Sequence, residues 1–231
     1  MCDLLGFSFD NASKAVPLLH SFAEHARRNP HGWGIAYYRG SEAVLRKRPE
    51  PAMASKEYFR AVEEAEGRII ISHVRNASRG DMHERNCHPF RHGLLGRQWT
   101  FAHNGHIDGI GPHQRAAGDT DSEAVFHMLL DSIARAGDPY SGLVEGVQCL
   151  FGEYEHGRDI RLNFLLSDGE MLYAFNHHPE KPMYVSGGRT AAGEALLFST
   201  QTLEGQCWAS LPEDRLVVAG DGKLRRMSGT I

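Results

Sequence analysis

Cys2 is the residue with the clearest chemistry. If Met1 is removed, Cys2 carries a thiol and a free α-amine on one Cα. An α-amine has a reference pKa of about 7.7–8.0, so a sizeable fraction is neutral near pH 7–8. A neutral amine beside a thiol is a nucleophile with its own general base. Amide hydrolysis also needs oxyanion donors and a grip on the substrate. Asn104-Gly105 can supply two donors, the Asn side-chain amide and the Gly backbone N–H. Such donors commonly matter by about 10²–10³ in rate, although Asn-Gly also makes plain turns. Arg75 follows the apolar run Ile69-Ile70-Ile71 and can hold a carboxylate with paired hydrogen bonds, or sit in a surface ion pair. Asp121 stands at the expected start of a helix, where the dipole favours an acid; it can also take a substrate ammonium. Ser78, in the segment after Arg75, is a further substrate-binding candidate.

Other residues offer less. Trp33 lies between Gly32 and Gly34, which allow close backbone approach; it either lines a pocket or packs in the core. His83, Cys87, His88 and His92 are the densest histidine–cysteine group, but their spacing matches no common zinc pattern, so no metal is expected. Cys2, Cys87, Cys149 and Cys207 are too widely spaced for a disulfide framework in a chain of this kind.

The elements that must position these residues can be read from periodicity and caps. An apolar strand covers residues 2–9, and a helix is expected from Ser13 to Asn29, with Pro17 early and Pro30 stopping it. His31 to Tyr38 reads as glycine followed by strand. Ser55 can cap a helix over residues 56–66 that Gly67 ends. Arg68 to Val74 is a strand, and Asn76 to His92 has loop composition. Trp99 to Ala102 is a strand running into His103-Asn104-Gly105. Thr120 and Glu123 have capping-box spacing, which predicts a helix over 121–136 ending at Gly137. A short helix is expected over 141–150, and a hairpin joins 161–166 to 171–176 around Asp168-Gly169. Residues 195–199 read as a strand, and a second hairpin spans 215–227. Many strands with few helices and no regular βαβ alternation favour stacked, mostly antiparallel sheets with helices outside.

At 231 residues, one domain spanning 1–231 is expected. Hydrophobic residues at 41%, charged residues at 23% and a net charge of -4 suit an ordinary globular protein. They give no reason to expect a nucleic acid or membrane partner. The N-terminus has no basic segment followed by a long apolar run, so a cytoplasmic protein is expected.

Taken together, Cys2, His31-Gly32-Trp33-Gly34-Ile35, His73-Val74-Arg75, His103-Asn104-Gly105 and Thr120-Asp121-Ser122-Glu123 resemble, in order and spacing, the class II glutamine amidotransferase domains. These belong to the N-terminal-nucleophile hydrolases. Leu165-Leu166-Ser167-Asp168-Gly169 and Ser199-Thr200-Gln201 look like the stand-alone branch, which includes the γ-glutamyl amide hydrolase of ergothioneine biosynthesis. The resemblance implies an α+β fold, a four-layer αββα sandwich of two mostly antiparallel sheets. It implies Cys2 as nucleophile, its amine as base, Asn104 and Gly105 as oxyanion hole, Arg75 on the substrate carboxylate and Asp121 on its ammonium, with no cofactor. The expected reaction cleaves the γ-amide of glutamine or a γ-glutamyl compound through a Cys2 thioester, releasing glutamate plus ammonia or an amine. Bifunctional members continue into a synthase domain, whereas this chain ends at Ile231, so any ammonia acceptor is expected on a separate subunit. The rival readings are a papain-like Cys–His hydrolase built on Cys2 or Cys87, and a non-catalytic glutamine- or γ-glutamyl-binding module.

Overall fold

The computed structural model describes residues 2–77, 80–154, 159–190 and 193–231, with the side chain of Thr190 left aside. The chain runs β1 (Asp3–Lys14), α1 (Val16–Ala23), β2 (Gly32–Arg39), β3 (Glu42–Arg48), α2 (Lys56–Glu64), β4 (Glu66–Arg75), β5 (Phe90–Leu94) and β6 (Arg97–Ile107). It continues with α3 (Asp121–Ala136), α4 (Pro139–Tyr154), β7 (Ile160–Ser167), β8 (Leu172–Phe175), β9 (Tyr184–Thr190), β10 (Gly193–Ser199), β11 (Ala209–Ser210), β12 (Leu216–Gly220) and β13 (Lys223–Met227). A seven-stranded sheet has the order β11-β9-β10-β1-β4-β2-β3, and a six-stranded sheet the order β13-β12-β8-β7-β6-β5. The strand pairs are antiparallel.

Side-chain alternation explains why the sheets stack. In β4, Ile69 and Ile71 join Leu4, Ala102, Leu165, Leu172 and Phe198 in the core between the sheets. Ile70 points the other way, into a second core with Leu5, Phe7, Phe22, Tyr58 and Val62 from β1, α1 and α2. Period-two alternation with both faces buried makes such strands read as continuous apolar runs. On the outer face of the smaller sheet, Phe101 and Phe164 pack under Phe126, Leu129, Ile133, Leu143 and Val147 of α3 and α4. The result is a helix–sheet–sheet–helix sandwich, the α+β architecture expected.

α3 begins and ends where its caps say it should. Thr120 Oγ1 accepts from the Glu123 N–H at 3.3 Å, and Gly137 takes φ 70° at the C-terminus, a conformation that glycine adopts without a Cβ penalty. The box is only half formed: Glu123 does not reach back to Thr120 but accepts from the N–H groups of Ala117 (3.0 Å) and Gly118 (2.7 Å), folding the preceding loop onto the helix.

Several boundaries differ from expectation. The first helix starts at Val16, because β1 continues to Lys14 beyond a register shift between Ser8 and Ser13; a 3₁₀ turn over Glu24–Arg27 follows α1. α2 stops at Glu64, and Gly67 lies in β4. The polar strand β3 and the glycine-rich strand β9 carry little periodic signal and lie toward the sheet edges, where polar residues are tolerated. β5 occupies part of the stretch expected to be loop. β6 runs through Asn104-Gly105 to Ile107, so that pair lies inside a strand and not at its end.

Candidate functional site

Cys2 sits where β1 enters the larger sheet, between β4 and β10. The next residue, Asp3, is an anchor. Its Oδ1 meets Lys181 Nζ at 2.5 Å and accepts from Thr200 Oγ1 at 3.1 Å; its Oδ2 accepts from Asn29 Nδ2 at 2.7 Å and faces His25 Nδ1 at 3.4 Å. Burial opposes ionisation of Asp3, but His25 and Lys181 outweigh it and hold the carboxyl below its usual range. The Cys2 carbonyl accepts from Lys181 Nζ at 2.8 Å and from Asn104 Nδ2. Cys2 Sγ accepts from the Asn76 N–H at 3.3 Å and donates to the Asn76 carbonyl at 3.5 Å. Burial pushes the thiol pKa up, only partly offset by the Asn76 hydrogen bond, so the sulfur needs a base to become a nucleophile.

Asn104 and Gly105 reach Cys2 from β6, opposite Asn163 and Leu162 of β7. Gly105 has φ 156°, and a Cβ there would overlap the Arg161 carbonyl. Only glycine brings the β6 backbone this close. Asn104 is fully buried, and its Oδ1 has no hydrogen-bond partner among the described residues.

Behind this wall lie three buried histidines. His103 Nε2 meets the Arg161 carbonyl at 3.1 Å, so it carries the proton, and Nδ1 accepts from Ser122 Oγ at 2.9 Å. His88 Nδ1 accepts from the His103 N–H at 3.3 Å, and its ring lies 4.3 Å from that of His73. Burial holds all three below the ordinary imidazole value, His73 down to about 3. They form a neutral packing block beneath Cys2.

Two cavities meet at Cys2, sharing Asn76, Ala77 and Gly105. One, of about 20 Å³, is lined by Arg75, Thr120, Asp121 and Ser122. The other, of about 270 Å³, is lined by Asn104, His106, Asp159, Arg161 and His178. A water site needs roughly 10–15 Å³ on this measure, so the first holds about one water and the second many. The residues of the smaller cavity are engaged with protein groups. Arg75 donates to the carbonyls of Asp81 (3.0 Å) and Gly80 (3.2 Å). Asp121 Oδ2 accepts from His106 Nδ1 at 2.8 Å and the Ile107 N–H at 3.1 Å, and Oδ1 accepts from the Ser122 N–H at 3.0 Å. Admitting a ligand between Arg75 and Asp121 requires these partners to be exchanged.

The residues singled out from sequence are thus distributed unevenly. Cys2, Arg75, Asn104, Gly105 and Asp121 surround the two cavities. Trp33 is elsewhere: it is 1% exposed, packs edge-on against Tyr58 at 5.2 Å beneath the larger sheet and lines neither cavity. Ser78 lies outside the described residues. Cys87 is buried behind Gly32, donating to the carbonyls of Arg48 and His83. Among the described residues, no cluster of His, Cys, Asp and Glu could hold a metal ion, and no helix is long and apolar enough to cross a membrane. Lys181, His106 and His178 escaped sequence reasoning. His106 sits next to the Asn104-Gly105 pair and so was within reach of it; the other two carry no motif signal.

Known proteins resemble this chain in sequence and in fold. The chain is 32% identical over 191 residues to "Putative glutamine amidotransferase YafJ" of Escherichia coli (strain K12), covering 76% of this chain and 72% of that one. A crystal structure described as that of a "predicted glutamine amidotransferase from Pseudomonas aeruginosa PA01" superposes with a TM-score of 0.64 at 24% identity, covering 96% of this chain and 99% of that one. The glutamine phosphoribosylpyrophosphate amidotransferase of B. subtilis superposes with a TM-score of 0.71 at 15% identity; 98% of this chain corresponds to 49% of that one, so the likeness is to part of that enzyme. The family described as glutamine amidotransferases class-II matches residues 1–187, and the chain belongs to that family.

Proposed function

We propose that this protein is an amidohydrolase that cleaves the γ-amide of glutamine or of a γ-glutamyl compound, with Cys2 as nucleophile. The observation that carries the reading is the meeting of two unlike cavities at Cys2, one walled by Arg75 and Asp121, the other by Asn104, with Gly105 lining both. Removal of Met1 exposes the Cys2 α-amine. The amine takes the thiol proton as Sγ attacks the γ-carbonyl, and the oxyanion is stabilised by Asn104 Nδ2 and the Gly105 N–H. The amine then returns the proton to the departing nitrogen, which leaves as ammonia or an amine. Water, deprotonated by the same amine, cleaves the thioester to give glutamate and the free thiol. Arg75 takes the substrate α-carboxylate and Asp121 its α-ammonium once their present partners give way.

The His-base rival is weaker. Among the described residues no histidine hydrogen-bonds to Cys2 Sγ, whose partners are both backbone groups of Asn76. Cys87 is buried and raised in pKa by that burial. The large cavity favours the γ-glutamyl amide hydrolase branch, since ammonia needs little space. If glutamine is the substrate, a separate ammonia-accepting synthase subunit is the implied partner. The reading places the protein in the cytoplasm, with no cofactor. The test is glutamate release from glutamine and a panel of γ-glutamyl amides, with Cys2→Ala as the control. Release by the wild type that Cys2→Ala abolishes supports the reading; equal release by both sinks it.

A further inference from the structure

The 270 Å³ cavity is walled in part by a buried histidine. His178 is 1% exposed, lines this cavity, and neither of its ring nitrogens has a hydrogen-bond partner among the described residues. Its placement follows from strand alternation. His177 continues the ladder beside β7, exchanging backbone hydrogen bonds with Leu162 at 2.6 and 3.2 Å, and its ring packs on Phe151 under the outer helices. The next side chain therefore turns to the opposite face, toward Cys2. A turn closed by the Lys181 N–H on the His178 carbonyl at 3.0 Å fixes the backbone, and Asn163 Nδ2 grips the Lys181 carbonyl at 2.7 Å. The same turn thus aims Lys181 at the Cys2 carbonyl and His178 into the cavity.

An unpartnered buried imidazole is unfavourable unless something fills its valence in the working state. Burial, with Arg161, His103 and Lys181 nearby, lowers its pKa to about 4, so near neutral pH it offers one donor and one acceptor. Beside it, Arg161 binds Asp159 through Nε at 2.8 Å and Glu180 through Nη1 at 3.1 Å. A guanidinium has five N–H donors, so these contacts leave others to offer. The wall therefore presents a neutral donor–acceptor and a cation already balanced by carboxylates, on the side of Cys2 away from Arg75 and Asp121. A carboxylate or peptide carbonyl that follows a substituted amide nitrogen within a few bonds can accept from both.

We infer that His178 and Arg161 form a leaving-group subsite for secondary γ-glutamyl amides, those of amino acids or short peptides, with the His178 imidazole N–H and the Arg161 guanidinium both donating to the carboxylate or peptide oxygen that follows the scissile amide. The inference rests on the proposed γ-glutamyl amidohydrolase activity. His178 then determines specificity on the departing side, and glutamine leaves the subsite empty.

The experiment compares kcat/KM for glutamine, γ-glutamylglycine and γ-glutamylethylamide, whose tail lacks an oxygen acceptor, in the wild type, His178→Phe, His178→Gln and Arg161→Gln. The wild type is expected to prefer γ-glutamylglycine. His178→Phe should lower the γ-glutamylglycine-to-glutamine ratio about tenfold, the equivalent of about 1.4 kcal/mol, and His178→Gln should restore part of it. Arg161→Gln should lower the ratio for γ-glutamylglycine but not for the ethylamide. If His178→Phe fails to fold, as judged by its melting transition, His178→Gln and Arg161→Gln carry the comparison. Unchanged ratios, or equal losses on all three substrates, overturn the subsite. A wild type that cleaves glutamine and rejects γ-glutamylglycine overturns the subsite alone. A wild type that cleaves none of the three overturns the parent activity as well.

Discussion

Replacing Lys181 by Met probes how Cys2 is held. Lys181 Nζ lies 2.5 Å from Asp3 Oδ1 and donates to the Cys2 carbonyl at 2.8 Å, with the Lys181 and Asp3 side chains only 10% and 5% exposed. Methionine keeps most of the apolar stem and removes the charge. Breaking a buried ion pair from one side typically costs about 3–5 kcal/mol, because the remaining charge is left uncompensated. Asp3 would retain Thr200, Asn29 and His25, so the low end, about 3 kcal/mol, is expected. For a chain of this size that is a fall in Tm of roughly 6–12 °C. The sign with pH follows. The native Asp3 pKa lies below its unfolded value, so the anchor contributes stability above the unfolded carboxyl pKa of about 3.9 and loses it as pH falls through the native value. Without Lys181 the native pKa rises, and acid unfolding should begin at higher pH. The assay is urea unfolding of wild type, Lys181→Met, Asp3→Asn and the double variant. The double variant should be more stable than additivity of the single variants predicts. A loss below about 1 kcal/mol with no shift in acid unfolding would refute the claim that this pair fixes the start of β1.

Other outcomes follow from the same geometry. A preparation shown by intact mass to retain Met1 should be inactive, because the amine is tied up in a peptide bond; full activity in that form would remove the amine from the mechanism. Asn104→Ala should lower kcat by about 10²–10³ with KM much less affected, and a normal kcat with raised KM would assign Asn104 to substrate recognition. His73 is neutral in the native state down to about pH 3, whereas an unfolded histidine protonates near pH 6.5. Above about pH 6.5 it contributes nothing; between these values stability should fall with decreasing pH by up to about 1.4 kcal/mol per unit. Urea unfolding at pH 7.5 and 5.5 measures this, and equal or greater stability at the lower pH would contradict it.

Much of the fold could be read in advance because its strongest elements are locally consistent. Ile69-Ile70-Ile71 has to be a strand buried on both faces, and it is the centre of β4. Thr120 and Gly137 mark both ends of α3. What escaped was structure whose sequence is ambiguous in isolation. The polar run Glu42–Arg48 forms β3 because β2 offers it an edge to pair with, and only three of its seven residues are at least half-shielded and apolar. Ser13 and Lys14 read as the start of a helix, yet they extend β1 by pairing with Gly67 and Glu66 of β4. Such choices are settled by tertiary partners that local propensity does not contain.

The site divides in the same way. Residues whose candidacy is tied to one backbone position could be singled out and do lie around the two cavities: a cysteine next to the initiator methionine, the glycine of an Asn-Gly pair, an acid at a helix start. Trp33 was ambiguous for the opposite reason, since close-packing glycines serve a core as well as a pocket, and here the core took it. His178 and Lys181 could not be found at all. Lys181 is separated from Cys2 by 179 positions. In sequence they are an ordinary histidine and lysine in a Pro-containing connection. Their importance comes from a turn that Asn163 of β7 pins across the inter-sheet space, so that one side chain meets the Cys2 carbonyl and the other faces the cavity beyond it. A sandwich built by stacking two sheets brings the start of β1 against the end of β8. Lys181, which holds the Cys2 carbonyl, and His178, which faces the cavity beyond it, are therefore recruited from the half of the chain farthest from Cys2 in sequence. On the proposed activity, exchanges in that connection should alter which amide is cleaved, because the turn lines the larger of the two cavities at Cys2, while the segments carrying Arg75 and Asp121 face the other.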